Sequence, residues 1–144
     1  MKLSIRTRYG TRAMLDLALN YNDGVVSARE IGARQQVSRK YLEHPLVSLR
    51  SAGLIRTVRG VPGGHRLARH PTQMKLREIY SIFEARKGLV ECVTGSEACD
   101  RRDTCVTQEV CAEMHRACMD ILESTTLEDL ARRVHSKQAA SSMA

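Results

Sequence analysis

The sequence predicts a mainly α-helical fold: a winged helix-turn-helix domain with a long C-terminal helix suited to dimerisation. Three observations predict it. Two helical patterns joined by a short turn lead straight into LIRTV, RGVPGG and HRLA, which read as strand, turn and returning strand. Apolar residues make up 42% of the chain with a single Phe and no Trp, so the core is aliphatic, as in packed helices. A further long helix is expected over about 108–122, after a stretch rich in cysteine. At 144 residues the chain is one domain, or one small domain with an oligomerisation element, and it can fold without crosslinks.

Each element has its own signal. RYGTRAMLDLALNY, from about Arg8 to Tyr21, sets Ala13 and Leu17 and, on the adjoining turns, Met14, Leu15 and Ala18 at helical spacing, and Asn22-Asp23-Gly24 stops it. Ser27 and Glu30 match a capping box and open a short helix to about Arg34. Ser38 is the next N-cap candidate, opening RKYLEHPLVSLRSAG, which ends at Gly53. Pro45 falls inside that helix. An interior Pro costs roughly 3 kcal/mol and disfavours helical geometry at His44, so a kink is expected there. KLREIYSIFE, residues 75–84, reads as a short amphipathic helix, and a cysteine loop spans 85–106. Thr107 is the expected cap of the long helix, Ser124–Thr126 starts LEDLARRV, and the tail SKQAASSMA is expected to fray.

Charge divides the chain. Residues 1–70 hold 13 Lys/Arg against 4 Asp/Glu, a net of +9, while residues 71–144 hold 10 against 12, a net of −2. A basic front half with a near-neutral back half suggests double-stranded DNA binding followed by a sensing or pairing element. A solvated basic surface is the plainer reading of the same count. Aromatic residues are 3% of the chain, which disfavours a base-stacking single-strand binder. There is no apolar run of signal-peptide or membrane-span length, so a cytoplasmic protein with no membrane partner is expected. A cysteine-dependent enzyme finds little support beside a basic reading domain.

In such a domain the N-terminal end of the second helix enters the major groove, which puts Ser38, Arg39, Tyr41 and Glu43 near base edges. Arg59 is placed to reach a narrow minor groove from the wing, whose turn carries Gly60, Gly63 and Gly64. Any single Arg of this set is equally explained as a solvated side chain.

CVTGSEACDRRDTC carries Cys92, Cys99 and Cys105. A reducing compartment and an odd total of 5 cysteines argue against disulfides. Iron–sulfur ligation needs thiolates free to converge, which a loop with Gly95 allows, and Cys105 precedes a helix start, whose positive end favours anions. Zinc would accept the same thiolates, although no Cys-x-x-Cys pair is present. Spacing alone leaves iron–sulfur, zinc and unligated thiols open. Cys111, His115 and Cys118 share one face of the long helix and are expected either to pack in a dimer interface or to add a metal ligand.

With these pieces placed, the chain resembles the winged-helix regulator family of IscR, NsrR and CymR over about residues 1–134. MKLSIRTRYGTRAMLDLA, VSRKYLEHPLVSLRSAGLIRTVRG, PGGHRLA, ECVTGSEACDRRDTCVT and STTLEDL carry the resemblance. It implies a homodimeric transcription factor on a roughly palindromic operator, with an iron–sulfur cluster (2Fe-2S or 4Fe-4S) held by Cys92, Cys99 and Cys105. The implied division is a DNA-binding domain over 1–84, a cluster-binding loop over 85–106, dimerisation helices over 107–135 and a disordered tail over 136–144. The sequence departs from the family in three places. The wing reads GVPGGH where a Gly-rich turn followed by Tyr is usual. The His expected three residues after the third Cys is Gln108. The acidic residue some members use near the N-terminus is Arg8. The fourth ligand is therefore unassigned, with Glu109, Cys111, His115 and Cys118 as nearby candidates. The implied signals are cluster supply, redox state or nitric oxide, and the alternative is thiol oxidation or structural zinc without a cluster.

Overall fold

The computed structural model describes residues 3–84, 91–95 and 100–143, and of Glu91, Cys92 and Arg102 the backbone alone. The first helix, α1, spans Ile5–Leu19 and starts earlier than the apolar pattern suggests. Ser4 is the reason: its Oγ accepts the Thr7 N–H at 3.1 Å and so satisfies a free donor of the first turn. The stop also comes earlier, because Asn20 donates its side-chain amide to the Asp16 carbonyl at 2.7 Å. α2, Ala28–Gln35, begins at the expected capping box, with the Ser27 N–H on Glu30 Oε2 at 2.7 Å and the Glu30 N–H on Ser27 Oγ at 3.2 Å. It ends in a tight turn where Gln36 is left-handed (φ 52°) and the Val37 N–H returns to the Gly32 carbonyl. A Cβ at Gly32 would lie 2.7 Å from the Val37 carbonyl oxygen, so the turn requires glycine there.

α3, Arg39–Ser51, is one continuous helix through Pro45. Pro45 is fully buried beside Leu42, Leu46 and Leu49. Burying an apolar side chain of this size contributes about 1.5–3 kcal/mol, which offsets most of the ~3 kcal/mol cost of an interior Pro. The wing follows as β1, Ile55–Val58, and β2, Gly64–Leu67, antiparallel with Ile55 opposite Leu67, Arg56 opposite Arg66, Thr57 opposite His65 and Val58 opposite Gly64. Val26 adds a bridge on the outer side of β2, exchanging both backbone hydrogen bonds with His65. A Cβ at Gly64 would sit 2.5 Å from the Val26 carbonyl oxygen, so glycine lets these strands meet.

α4 spans Leu76–Glu84, α5 is a short helix over Glu91–Thr94, α6 spans Val106–Ser124 and α7 spans Leu127–Ser142. Cys105, not Thr107, occupies the N-cap position of α6. α7 opens with a second capping box, between Thr126 and Asp129. It runs on to Ser142, so the 136–144 stretch expected to be disordered is helical over 136–142. Lys137, Gln138, Ala139 and Ala140 are favourable helix formers on a helix already nucleated. α7 also packs against α1, with Leu127 and Ala131 buried there. α7 thus packs on the winged domain of its own chain. The core this completes is aliphatic, with Ala13, Met14, Leu17, Ile31, Leu42, Leu49, Ile55, Met74, Ile79 and Leu127 fully buried.

Candidate nucleic-acid interface and cysteine site

The apolar stripe of α3 turns inward, so Ser38, Arg39, Tyr41 and Glu43 are all exposed on its opposite side, together with Lys40 and His44. Ser38 takes the N-cap position with extended backbone and its carbonyl accepts the Tyr41 N–H at 3.0 Å, but its side chain makes no capping hydrogen bond, which leaves the hydroxyl available to a partner outside. Tyr41 is not a loose side chain. Its ring lies 6.2 Å from that of Tyr9 on α1, tilted by 49°. Lys40 and His44 were missed by a reading that followed only the first turn. Their place two residues on either side of the inward-facing Leu42, on the opposite side of the helix, was the available signal.

The helix pair is braced from α1. Asp16 is 1% exposed and receives Arg34 through Nη2 at 2.8 Å and Nε at 3.0 Å, with Gln35 Nε2 on the same carboxylate at 3.2 Å. Arg34 is held protonated, its pKa raised first by the Asp16 hydrogen bond and then by the Asp16 charge, against an opposing effect of burial. Arg12 donates to the Gln35 backbone carbonyl in the turn before α3. These contacts fix α2 and the turn on α1, and so fix the angle at which α3 is presented.

At the wing, Arg59, Gly60 and the tip residues Val61 and Pro62 are exposed, and Gly63 and Gly64 are half-buried. The tip contains a cis Val61–Pro62 bond. Thr57 Oγ1 lies 3.2 Å from His65 Nδ1 across the hairpin. The His65 pKa is lowered by burial and, secondarily, by the charge of Arg50 at the end of α3.

Of the three expected cluster ligands, Cys99 and the Cys92 side chain lie outside the described residues. Cys105 is described: a free, half-buried thiol at the N-cap of the 19-residue α6. α5, which carries Cys92, packs against α6. A thiol at the positive end of a long helix suits a thiolate-held anionic group, so Cys105 fits that role. Among the described residues no three His, Cys, Asp or Glu side chains come together as a metal site. Gln108 is half-buried and Glu109 exposed, one turn into α6.

Cys111, His115 and Cys118 are half-buried, and α6 reaches its own chain through α4. Burial, then the charges of Glu84 and Cys118, push the Tyr80 hydroxyl on α4 to a higher pKa, which places Cys118 beside α4. Cys118 thus faces α4 of its own chain. A different stripe, Val106, Val110, Met114 and Ile121, is exposed. Its four- and seven-residue spacing was legible in the sequence but is interrupted by charge, and the cysteines drew the reading instead.

Further contacts tie this region to the winged domain. Glu84, 3% exposed at the end of α4, accepts from the Ser4 N–H at 2.8 Å and the Thr7 hydroxyl at 2.5 Å. It therefore anchors the start of α1 at the point where the chain enters the cysteine segment. At the other end of α6, Glu123 receives both Lys75 and Arg77. The α6–α7 corner is bridged to the start of α4 by Leu76 N–H on the Thr125 carbonyl and Leu127 N–H on the Met74 carbonyl, both at 2.9 Å.

Comparison with known proteins agrees with this arrangement. Protein rrf2 of Nitratidesulfovibrio vulgaris is 36% identical over 132 residues, covering 92% of this chain and 88% of the relative. The structure of CymR, the global cysteine regulator of Bacillus subtilis, superposes with a TM-score of 0.79 at 32% identity, covering 92% of this chain and 98% of that one. The structure of T. potens IscR gives a TM-score of 0.79 at 35% identity, over 96% of this chain and 91% of that one. Both superpositions extend over nearly the whole of this mainly helical fold. The family profile described as an iron-dependent transcriptional regulator matches residues 3–133, and the chain belongs to that family, Rrf2.

Proposed function

We propose that this transcriptional regulator works as a homodimer whose operator affinity is set by an iron–sulfur cluster held by Cys92, Cys99 and Cys105. The observation that carries the reading is the position of Cys105, an unpaired thiol at the N-terminus of α6, the helix whose far end is clamped to α4 through Glu123. A cluster bound there would supply a redox- and ligand-sensitive inorganic group whose loss frees three thiolates. The protein's part is mechanical. α6 and α5 transmit the state of the cysteine segment to α4, and Glu84 ties α4 to α1, on which α3 rests. The exposed stripe of Val110, Met114 and Ile121 supports pairing of α6 with a second copy.

Anaerobic purification followed by visible absorption and iron and sulfide analysis tests the cluster. A colourless, iron-free protein, with a Cys92→Ala/Cys99→Ala variant that binds and regulates normally, would remove it. A second reading keeps the regulator and drops the cluster, with thiol oxidation or structural zinc as the signal. Three described cysteines are free thiols, and the similar CymR is named for cysteine regulation. Zinc in the metal analysis, or a reversible disulfide that changes duplex affinity, would favour it.

A further inference from the structure

The hairpin register sets two guanidinium groups against each other. Ile55 and Leu67 are buried, so the alternation of a strand sends their neighbours Arg56 and Arg66 to the solvent face, directly opposite one another. Like charges facing across an antiparallel pair are destabilising, with side chains only about 5 Å apart at Cβ. Four arginines elsewhere are ion-paired: Arg34 with Asp16, Arg69 with Glu78, Arg77 with Glu123 and Arg132 with Asp129. Among the described residues no acidic side chain lies within ion-pair distance of Arg56 or Arg66. The pair also stands on the strands that lead to Arg59 at the wing tip, on the basic half of the molecule.

We infer that Arg56 and Arg66 together grip a backbone phosphate of bound duplex DNA, giving the wing a phosphate seat on its hairpin face in addition to the contact at its tip. An anion shared between them turns the repulsion into two charge-assisted hydrogen-bonding interactions, and guanidinium forks suit phosphate oxygens. The contact carries no base information. It sets how deeply the wing lies along the backbone, and so positions Arg59.

The inference rests on duplex binding by α3 and the wing, and the test separates the two. The full-length protein is used to select duplexes from a random-sequence pool. Wild type, Arg56→Gln/Arg66→Gln, Arg56→Lys/Arg66→Lys and Arg39→Gln are then titrated against a selected and an unrelated duplex over a range of salt. The Gln pair should weaken binding about tenfold on both duplexes and reduce the salt slope by about one per subunit. Its base preference should be kept, and its thermal midpoint should be no lower than that of wild type. The Lys pair should keep most of the slope. Wild-type affinity and slope in the Gln pair would overturn the inference, and weaker binding by Arg39→Gln in the same experiment would show that groove binding stands without it. Equal losses in the Gln and Lys pairs, with a lowered thermal midpoint, would also overturn it by showing a structural role.

Discussion

α3 and α6 are both amphipathic helices in this chain, yet they are held in place by different means. α3 buries Leu42, Pro45, Leu46 and Leu49 in a core shared with α1, while α6, the longest helix, buries none of its residues. α3 is therefore specified by its own subunit, and its outward face is free to be polar. α6 keeps Val110, Met114 and Ile121 exposed, with Ile121 64% accessible, and meets its own chain near Cys118 and at its two ends, through α5 and through Glu123. A helix so placed responds to what happens at those ends. That separates a rigid reading unit from a segment able to change its relation to it.

Four outcomes would break or sharpen that contrast. The largest is expected in the reading unit: Leu49→Ala, at a fully buried position, should cost about 3 kcal/mol in denaturant unfolding. A loss under 1 kcal/mol would mean that α3 is not set by this core. Next, Arg34→Ala leaves the buried Asp16 carboxylate with Gln35 alone and should cost about 2 kcal/mol, below the value for fully buried pairs because Arg34 is 42% exposed. Duplex affinity should fall with it, since the turn before α3 loosens. In α6, Ile121→Lys should shift the sedimentation mass from dimer toward monomer, while Leu49→Ala at a temperature where it stays folded should not. A dimer untouched by Ile121→Lys would place the interface elsewhere.

The smallest effect is at the wing. Burial and Arg50 lower the His65 pKa below its ordinary 6.5, so the unfolded chain binds this proton more readily than the folded one. Stability from this group is complete above pH 6.5 and is lost as pH falls below it. Thermal midpoints of wild type should decline over that range more steeply than those of His65→Gln, and identical profiles would show that His65 is not sensed.

The reading unit was largely legible because local signals and burial agree there. Ser27 and Glu30 marked a real capping box, and Ser38, Arg39, Tyr41 and Glu43 fell on the exposed side of α3 because Leu42, Leu46 and Leu49 claim the other. The α1 boundary slipped because a single polar residue, Ser4, decided it, and α6 starts after Cys105 without a side-chain cap. The α6 region was less legible. Cys111, His115 and Cys118 announce chemistry by residue type, but which face of a helix meets its own chain depends on the neighbour across from it. Cys99 and the Cys92 side chain lie outside the described residues.

The sequence by itself determined the order of elements, the winged helix-turn-helix class and the basic reading face, because these follow from local capping, turn chemistry and apolar period. Only the tertiary structure decided that α7 closes the winged core through Leu127, and that Glu84 holds the start of α1. It likewise turned the apolar stripe of α6, rather than its cysteines, outward. Each of these depends on residues far apart in the chain meeting in space, and local pattern carries no information about which distant partner a buried group will find.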